Sequence, residues 1–441
     1  MFRFRTVAAA AFAASAVVAC SDEVTSPTLS APQSPTLSVQ SGREDVVSGD
    51  IIVRTVDGVA PQEVARAHGL EFAEIGYHGA FAILHGAAGL EHANARALKA
   101  DPRVVYAEPN YLRQTTTIDS RLWAFYNPGG LNMKYTRGQN SGSFIASSYA
   151  SVADADEDNV ANYAAGGSPV VIGSIDTGVD FSHPEFKNAD GTSRLIAGRD
   201  WYSNDDDPSD TEDHGSHTTG TMAGNTVGIA GVSGAAPNVT VYVQRVCGKR
   251  GCPTAAIVNA IRAAADYPGL VAMNLSLGGT SIAQSETDAI AYATSKNVLV
   301  IASAGNDGST TVACPACDPN AISVAATQWQ DKLASYSQSG PGLDISAPGG
   351  NCYSNTTPEG CIYSSIRGGY GWMQGTSMAA PQVTGTAGIV ASKTGLRGQA
   401  LRDRIIGAVD DLGAPGYDTT FGAGRLNSYR AVTGSSLPAG Q

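Results

Sequence analysis

The chain has 441 residues, 42% hydrophobic and 15% charged, a balance that suits a soluble globular protein with one large core and an accessory part. Its formal net charge of −12 argues against nucleic acid as a partner, because gripping a phosphate backbone needs a basic face. Glycine is abundant, at 51 residues, as expected where strands end in turns beside a cleft.

Residues 1–20 read as a targeting segment rather than as fold. Arg3 and Arg5 supply a positive start, and 6–19 is a mostly apolar run too short to span a bilayer. The run closes on Val17-Val18-Ala19-Cys20, which resembles the lipobox of bacterial lipoproteins. That resemblance implies a lipoprotein precursor acylated on Cys20, touching a membrane only through its lipid. The alternative is an ordinary Ala-x-Ala-like cleavage signal; either way the chain is expected to be exported, to the cell envelope or beyond it. Residues 21–49 are rich in Ser, Thr and Pro and repeat Ser26-Pro27-Thr28-Leu29-Ser30 as Ser34-Pro35-Thr36-Leu37-Ser38. So little apolar surface cannot repay the entropy of ordering, and the segment reads as a disordered linker.

Residues 50–113 read as a separate small unit. Strands are expected over 50–56, 72–75, 80–84 and 104–110, and helices over 61–69, opened by Pro61, and over 90–99. The order β-α-β-β-α-β suits a ferredoxin-like α+β unit. Residues 114–168, with Trp123, Tyr126 and the acidic run Asp154-Ala155-Asp156-Glu157-Asp158, read as an N-terminal extension of the domain that follows. The acidic run is a solvated face.

Three later segments carry chemistry. Val170 to Ile175 is an apolar, β-branched run ending in Asp176-Thr177-Gly178, a buried strand closed by an acid and a glycine turn. Asp213-His214-Gly215-Ser216-His217 opens a stretch of small residues suited to a helix pressed against other backbone. His214 and His217 share the spacing of a metal pair, but no nearby Glu or Cys completes a zinc set. Gly375-Thr376-Ser377-Met378-Ala379-Ala380-Pro381 sets a serine at a helix start, where first-turn N–H groups can bind developing negative charge. The plainer role for Ser377 is an N-cap.

Taken together, in the chain order Asp, His, Ser, these segments resemble the subtilisin-like serine proteases. Met273-Asn274-Leu275-Ser276-Leu277-Gly278-Gly279, Ile301-Ala302-Ser303-Ala304-Gly305-Asn306 and Gly422-Ala423-Gly424-Arg425-Leu426-Asn427 match that family's style, and the likeness covers roughly residues 165 to 435. It implies an α/β fold with a mainly parallel sheet flanked by helices over 169–435, followed by a short tail at 436–441. It implies that Ser377 is the nucleophile, His214 the base and Asp176 the group that orients it, with Asn306 holding the oxyanion. Ser276, Leu277, Gly278 and Gly279 would line the extended substrate, with Ala304 and Gly305 beside them. His217 is then a packed neighbour. The 50–113 unit resembles the inhibitory propeptide of the same family, with a permanently attached accessory domain as the alternative. The implied function is a monomeric endopeptidase acting on proteins and peptides, made as a self-processing precursor, its own propeptide serving as inhibitor. No acid marks the base of a specificity pocket, so apolar and aromatic residues are expected at the cut. A catalytically silent relative, or a lipoprotein binding a small ligand at its strand ends, are the competing readings.

Besides Cys20 the chain has Cys247 and Cys252, Cys314 and Cys317, Cys352 and Cys361. Six cysteines permit fifteen connectivities, and their clustering makes nearest-neighbour bridges the simplest expectation. Each bridge would contribute about 2–3 kcal/mol. A thioredoxin-like redox role for Cys314 and Cys317 lacks the helix start it needs. Catalysis needs no cofactor. The cluster Asp205, Asp206, Asp207, Asp210, Glu212 and Asp213 reads as a solvated turn, with structural calcium as the alternative. Asp213, next to His214, is expected to raise the imidazole pKa by charge proximity.

Overall fold

A computed structural model describes residues 46–76, 79, 81–111, 122–127, 132–137, 140–145, 149–150, 163–352 and 360–434. Cys20 and the targeting segment, the linker as far as residue 45, residues 112 and 113 at the end of the small unit, the acidic run 154–158 and the tail 436–441 lie outside the described residues. Two compact units are present, one holding the described residues from Val46 to Tyr111 and one holding those from Leu122 onward. Among the described residues no helix is long and apolar enough to cross a membrane.

The first unit runs β1 (Val46–Thr55), α1 (Pro61–Ala67), β2 (Glu71–Ile75), β3 (Ala82–His85), α2 (Glu91–Lys99) and β4 (Val104–Tyr111). Its sheet order is β2-β3-β1-β4 with every neighbouring pair antiparallel. Alternation sends Ile51 and Val53 inward to meet Val64, Leu84, Leu98 and Ala107 in a small core. β1 starts at Val46, within the stretch expected to be linker. The ladder with β4 slips between Val46 and Ile51, and Gly49 takes φ +83° there, so the chain bulges and pairs onward to Tyr111. The buried Glu91 carboxylate accepts the Gly49 N–H at 2.7 Å and holds the bulge.

In the second unit, two short antiparallel pairs come first: β5 (Tyr126–Asn127) with β8 (Tyr149–Ala150), and β6 (Asn132–Arg137) with β7 (Asn140–Ile145). Just before them Leu122–Phe125 is buried. The Trp123 indole N–H donates to the Cys361 carbonyl at 2.8 Å, and its ring meets Trp329 edge-on. The main elements are then β9 (Val170–Asp176), β10 (Leu195–Asp200), α3 (His214–Ala223), α4 (Ile229–Val232), β11 (Val239–Arg245), α5 (Thr254–Ala265), β12 (Leu270–Leu275), α6 (Gln284–Ser295), β13 (Leu299–Ser303), β14 (Ala321–Thr327) and β15 (Ile345–Pro348). The hairpin β16 (Ile362–Ile366) and β17 (Gly369–Met373) leads into α7 (Thr376–Thr394), followed by α8 (Gly398–Ile406), β18 (Val409–Asp410), β19 (Arg425–Leu426) and α9 (Ser428–Thr433).

The nine-stranded sheet has the order β10-β11-β9-β12-β13-β14-β15-β19-β18 and is parallel except for its last pair. That is the α/β fold with a mainly parallel sheet and flanking helices expected above. Strands covered on both faces need continuous apolar runs, which β12, β13 and β14 supply by being buried at every position. From β9 the chain goes to β10 at one edge, comes back to β11 between the two, and then crosses to β12 on the other side of β9 and continues outward. The winding therefore reverses at β9, and the carboxyl ends of β9 and β12 mark the point where α/β proteins form a crevice for ligands.

Candidate active site

β9 delivers Asp176 to that crevice as its last residue, buried to 2% exposure. The turn that follows is fixed by glycine. Gly178 takes φ +100°, and a Cβ there would lie 2.4 Å from the Pro208 carbonyl oxygen. Gly215 meets the same turn from the other side: a Cβ on it would lie 2.1 Å from the Gly178 carbonyl oxygen. The start of α3 is therefore pressed against the end of β9, closer than any side chain allows.

Side chains complete the join. Thr177 Oγ1 accepts the Gly215 N–H at 2.8 Å and donates to Asp210 Oδ1 at 2.8 Å. Asp210 also accepts the N–H groups of Glu212 and Asp213 before the helix and of Ser216 in its first turn, so a carboxylate outside the helix satisfies one of its free N–H groups. Burial pushes the Asp210 carboxyl above the ordinary range, against the pull of those hydrogen bonds. With the helix start so placed, His214 Nδ1 lies 2.7 Å from Asp176 Oδ1. Asp176 Oδ1 also accepts the Thr177 N–H at 2.7 Å, and Oδ2 accepts the Thr218 hydroxyl at 3.1 Å. A carboxylate facing Nδ1 selects the tautomer protonated there and makes Nε2 the basic nitrogen.

Ser377 is the second residue of α7, whose N-cap is Gly375, so it is not the cap. Pro381 sits four residues on and has no N–H to give the Ser377 carbonyl. The Ser276 hydroxyl donates to that carbonyl instead, at 2.7 Å, and itself accepts from Asn274 Nδ2 at 2.9 Å. The segment after β12 is thereby tied to the helix that carries the serine. α7 also packs close against α3, because Gly385 presents no side chain where a Cβ would lie 2.5 Å from the Met222 carbonyl oxygen. Asn306 follows β13, and its Oδ1 accepts both the Thr376 N–H at 2.9 Å and the Thr376 hydroxyl at 2.8 Å. That pair of bonds fixes the amide's flip, with Nδ2 as the opposite, donating pole.

The expected substrate segment divides. Gly279 donates its N–H to the Cys314 carbonyl at 2.8 Å and accepts the Cys314 N–H at 2.9 Å, so it is closed to a substrate strand. Ala304 and Gly305 are also engaged through both backbone groups, Ala304 with Val324 and Ala313, Gly305 with Thr376 and Gln338. Gly278, between Leu277 and the closed Gly279, makes no backbone hydrogen bond among the described residues. Disulfides join Cys247 to Cys252, Cys314 to Cys317 and Cys352 to Cys361, the nearest-neighbour set.

His217 does not turn toward a shared ligand with His214. It is fully buried, its Nε2 bonds the Ile362 carbonyl at 3.1 Å, and burial holds its pKa down at about 3. Among the described residues no three His, Cys, Asp or Glu side chains converge as a metal set. The acidic cluster before α3 is spent locally instead. Asp205 and Asp207 accept backbone N–H groups two residues on, Asp206 pairs with Arg199, and Asp210 caps α3. Asp213 is engaged as well. Its carboxylate accepts Arg367 Nε–H at 2.6 Å, so it stands beside His214 as half of an ion pair rather than as a lone charge. Sequence alone assigns no role to Thr177, Thr218, Thr376 or Arg367, and reads Asp210 only as part of an acidic turn; Thr177, Thr218 and Thr376 lie inside or next to the motifs that could have flagged them.

Comparison with known proteins agrees with this geometry. A model of the subtilase family matches residues 167–424. The chain is 40% identical over 270 residues to a thermophilic serine proteinase of Bacillus sp. (strain AK1), covering 61% of this chain and 63% of that one. It therefore spans a little under two thirds of that relative's length. It is 37% identical over 267 residues to thermitase of Thermoactinomyces vulgaris, covering 60% of this chain and 89% of thermitase. The crystal structure of a cold adapted subtilisin-like serine proteinase superposes with a TM-score of 0.52 at 29% identity, over 63% of this chain and 94% of that one.

Proposed function

Because the chain belongs to the subtilase family, we propose that it is a serine endopeptidase working through Asp176, His214 and Ser377. The observation that carries this reading is the 2.7 Å contact between His214 Nδ1 and the buried Asp176 carboxylate, which leaves Nε2 as the base of the crevice. Ser377 Oγ attacks the peptide carbonyl while Nε2 takes its proton. The imidazolium formed is stabilised by Asp176, and Nε2 then protonates the leaving amine. Asn306 Nδ2 and the Ser377 N–H receive the oxyanion, the first aimed by Thr376 and the second by the helix start. The substrate strand pairs with the backbone at Ser276 to Gly278, the last of which has both hydrogen-bonding groups to offer. No acid marks the base of a specificity pocket in the sequence, so apolar and aromatic residues are favoured at the cut.

The ferredoxin-like unit over 50–113 is the inhibitory propeptide, removed by the enzyme's own cut beyond it. Three disulfides fit an exported protein, and Cys20 anchors the precursor through its lipid. No cofactor takes part in these steps. The test is labelling with a fluorophosphonate together with casein hydrolysis. Wild type should label and hydrolyse, and Ser377→Ala should do neither; labelling that survives Ser377→Ala would place the reactive serine elsewhere.

A further inference from the structure

The catalytic histidine's helix starts at an unusual place. Asp213, its N-cap, is a non-glycine residue at φ +73°, ψ −22°, a left-handed conformation that must be held by its surroundings. Its side chain makes no capping bond to the helix. Its Oδ1 instead accepts two donors from one residue 154 positions away: Arg367 Nε–H at 2.6 Å and Arg367 N–H at 3.3 Å. Arg367 is in the turn between β16 and β17. The same hairpin is fastened along the first two turns of α3. Ser365 and Ser364 donate to the carbonyls of Ser216 and His217, both at 2.9 Å, and the next turn residue, Gly368, donates to Asp180 Oδ2 at 3.0 Å. Two residues after β17 ends, α7 begins, carrying Ser377. One hairpin thus links the residue before the base to the helix of the nucleophile.

From this arrangement we propose that Arg367 is a positioning and charge-setting residue for His214: it locks Asp213 in its left-handed cap and neutralises the carboxylate of the residue that directly precedes the imidazole. The proposal rests on His214 being the general base. The charged and titratable groups on the elements around the start of α3 are Asp176 on β9, Asp180 after it, Asp210 and Glu212 before the helix, His217 within it, His183 and Glu185 beneath the hairpin, and Arg245 on β11. All of these remain in every variant below, so only the pair changes. The guanidinium is held in its charged form first by the hydrogen bond to Asp213 and then by the charges of Asp213, Asp210 and Glu212. Arg367 is therefore the cation set against this local excess of carboxylates.

The sign follows. Removing Arg367 leaves an uncompensated negative charge next to His214, favours the imidazolium and moves its titration to higher pH. Removing the Asp213 charge leaves the cation and moves it lower. Both partners are part-exposed, so solvent screening limits each shift to about 0.3–0.5 pH unit at low salt, and 1 M salt should nearly abolish it. Asparagine tolerates the left-handed region, so Asp213→Asn isolates the charge.

The experiment follows the His214 imidazole by NMR titration in the Ser377→Ala full-length protein, and the acid limb of kcat/KM in the matured active protein. Arg367→Gln should raise both midpoints, Asp213→Asn should lower both, and the double variant should return them to the starting value. Arg367→Lys keeps the charge without the forked geometry and should leave the midpoints in place while lowering kcat. Midpoints that stay within 0.1 unit in both single variants overturn the proposal. So do shifts of equal sign in the two. Clean opposite shifts by NMR in a protein that never hydrolyses peptide bonds would support the pair and refute the protease reading instead.

Discussion

An amide side chain carries a donor and an acceptor on one carbon, and which pole faces the reacting carbonyl decides whether Asn306 helps or opposes the chemistry. Thr376 makes that choice by giving Oδ1 two donors, its N–H and its hydroxyl, while the same hydroxyl accepts the Gly305 N–H at 3.2 Å. Asn306→Ala removes the donor altogether, and kcat should fall about 10²- to 10³-fold with KM little changed, as for the loss of an oxyanion donor used only in the transition state. Thr376→Val keeps the backbone bond but loses the hydroxyl, so the amide is still biased and kcat should fall only about 3- to 10-fold. Steady-state kinetics on one peptide substrate checks both. A Thr376→Val variant as slow as Asn306→Ala would mean that Thr376 shapes the cleft in some other way. Ser276 acts at the same scale, since its bond to the Ser377 carbonyl replaces the one Pro381 cannot make.

At the scale of elements, α3 is held from both sides: the β9 turn touches it at Gly215, and the β16–β17 hairpin touches it at Ser216, His217 and Gly220. A Cβ on Gly215 would meet main-chain oxygen, which cannot swing aside, so Gly215→Ala must push the helix start off the turn that carries Asp176. A displacement of that kind should lower kcat/KM about 10²-fold or more. Gly369→Ala, where a Cβ meets nothing within 4 Å, should stay close to wild type. Equal rates in the two variants would show that the close approach is not needed. On the hairpin side, burial keeps His217 neutral with a pKa of about 3, while the hydrogen bond to Ile362 pulls the other way and the charge of His214 adds to the lowering. Unfolded, the ring binds a proton near pH 6.5. Its share of stability is thus full above that value and is lost as the pH falls toward 3, with a slope of up to about 1.4 kcal/mol per unit. In the Ser377→Ala background, urea denaturation of His217→Gln should show a stability gap to the parent that narrows from pH 6.5 downward; a gap constant over that range means the ring does not titrate on unfolding.

This scale also shows what could be read from the chain alone. Asp-Thr-Gly, the first histidine of its motif and Gly-Thr-Ser are local signals, because a strand end, a tight turn and a helix start each restrict residue type at adjacent positions. The parallel sheet was legible for the same reason, in runs such as Val170 to Ile175. Asp210 as the outside cap of α3, the Asp213–Arg367 pair and the closure of Gly279 by Cys314 were not. Each depends on a contact that only the finished packing creates, and in the case of Arg367 on a partner 154 residues away. The early start of β1 was hidden for a different reason: a bulge breaks the alternation at Gly49, so the strand's first residues look like linker.

For the whole molecule, the two units have separate cores, one built around Ile51, Val53, Leu84 and Leu98, the other around the nine-stranded sheet. Each can therefore stay folded when the peptide between them is cut. Cys20 lies on the amino-terminal side of the smaller unit. If that cysteine is acylated and the enzyme cuts itself after β4, the lipid remains with the inhibitor and the protease leaves the membrane as it matures. An anchor on the precursor would keep an exported protease inhibited at the envelope until the cut frees it. Mass spectrometry with membrane fractionation tests the sequence of events in the native host. Ser377→Ala should give one uncut, acylated chain in the membrane fraction. Wild type should give an unacylated catalytic fragment in the soluble fraction, and an acylated fragment of the smaller unit in the membrane fraction. A wild-type catalytic fragment that still carries lipid would refute the release, because the cut would then lie before Cys20 or not occur. A Ser377→Ala chain cut at the same place as wild type would refute self-processing, because the scissile bond would have been broken without the proposed nucleophile.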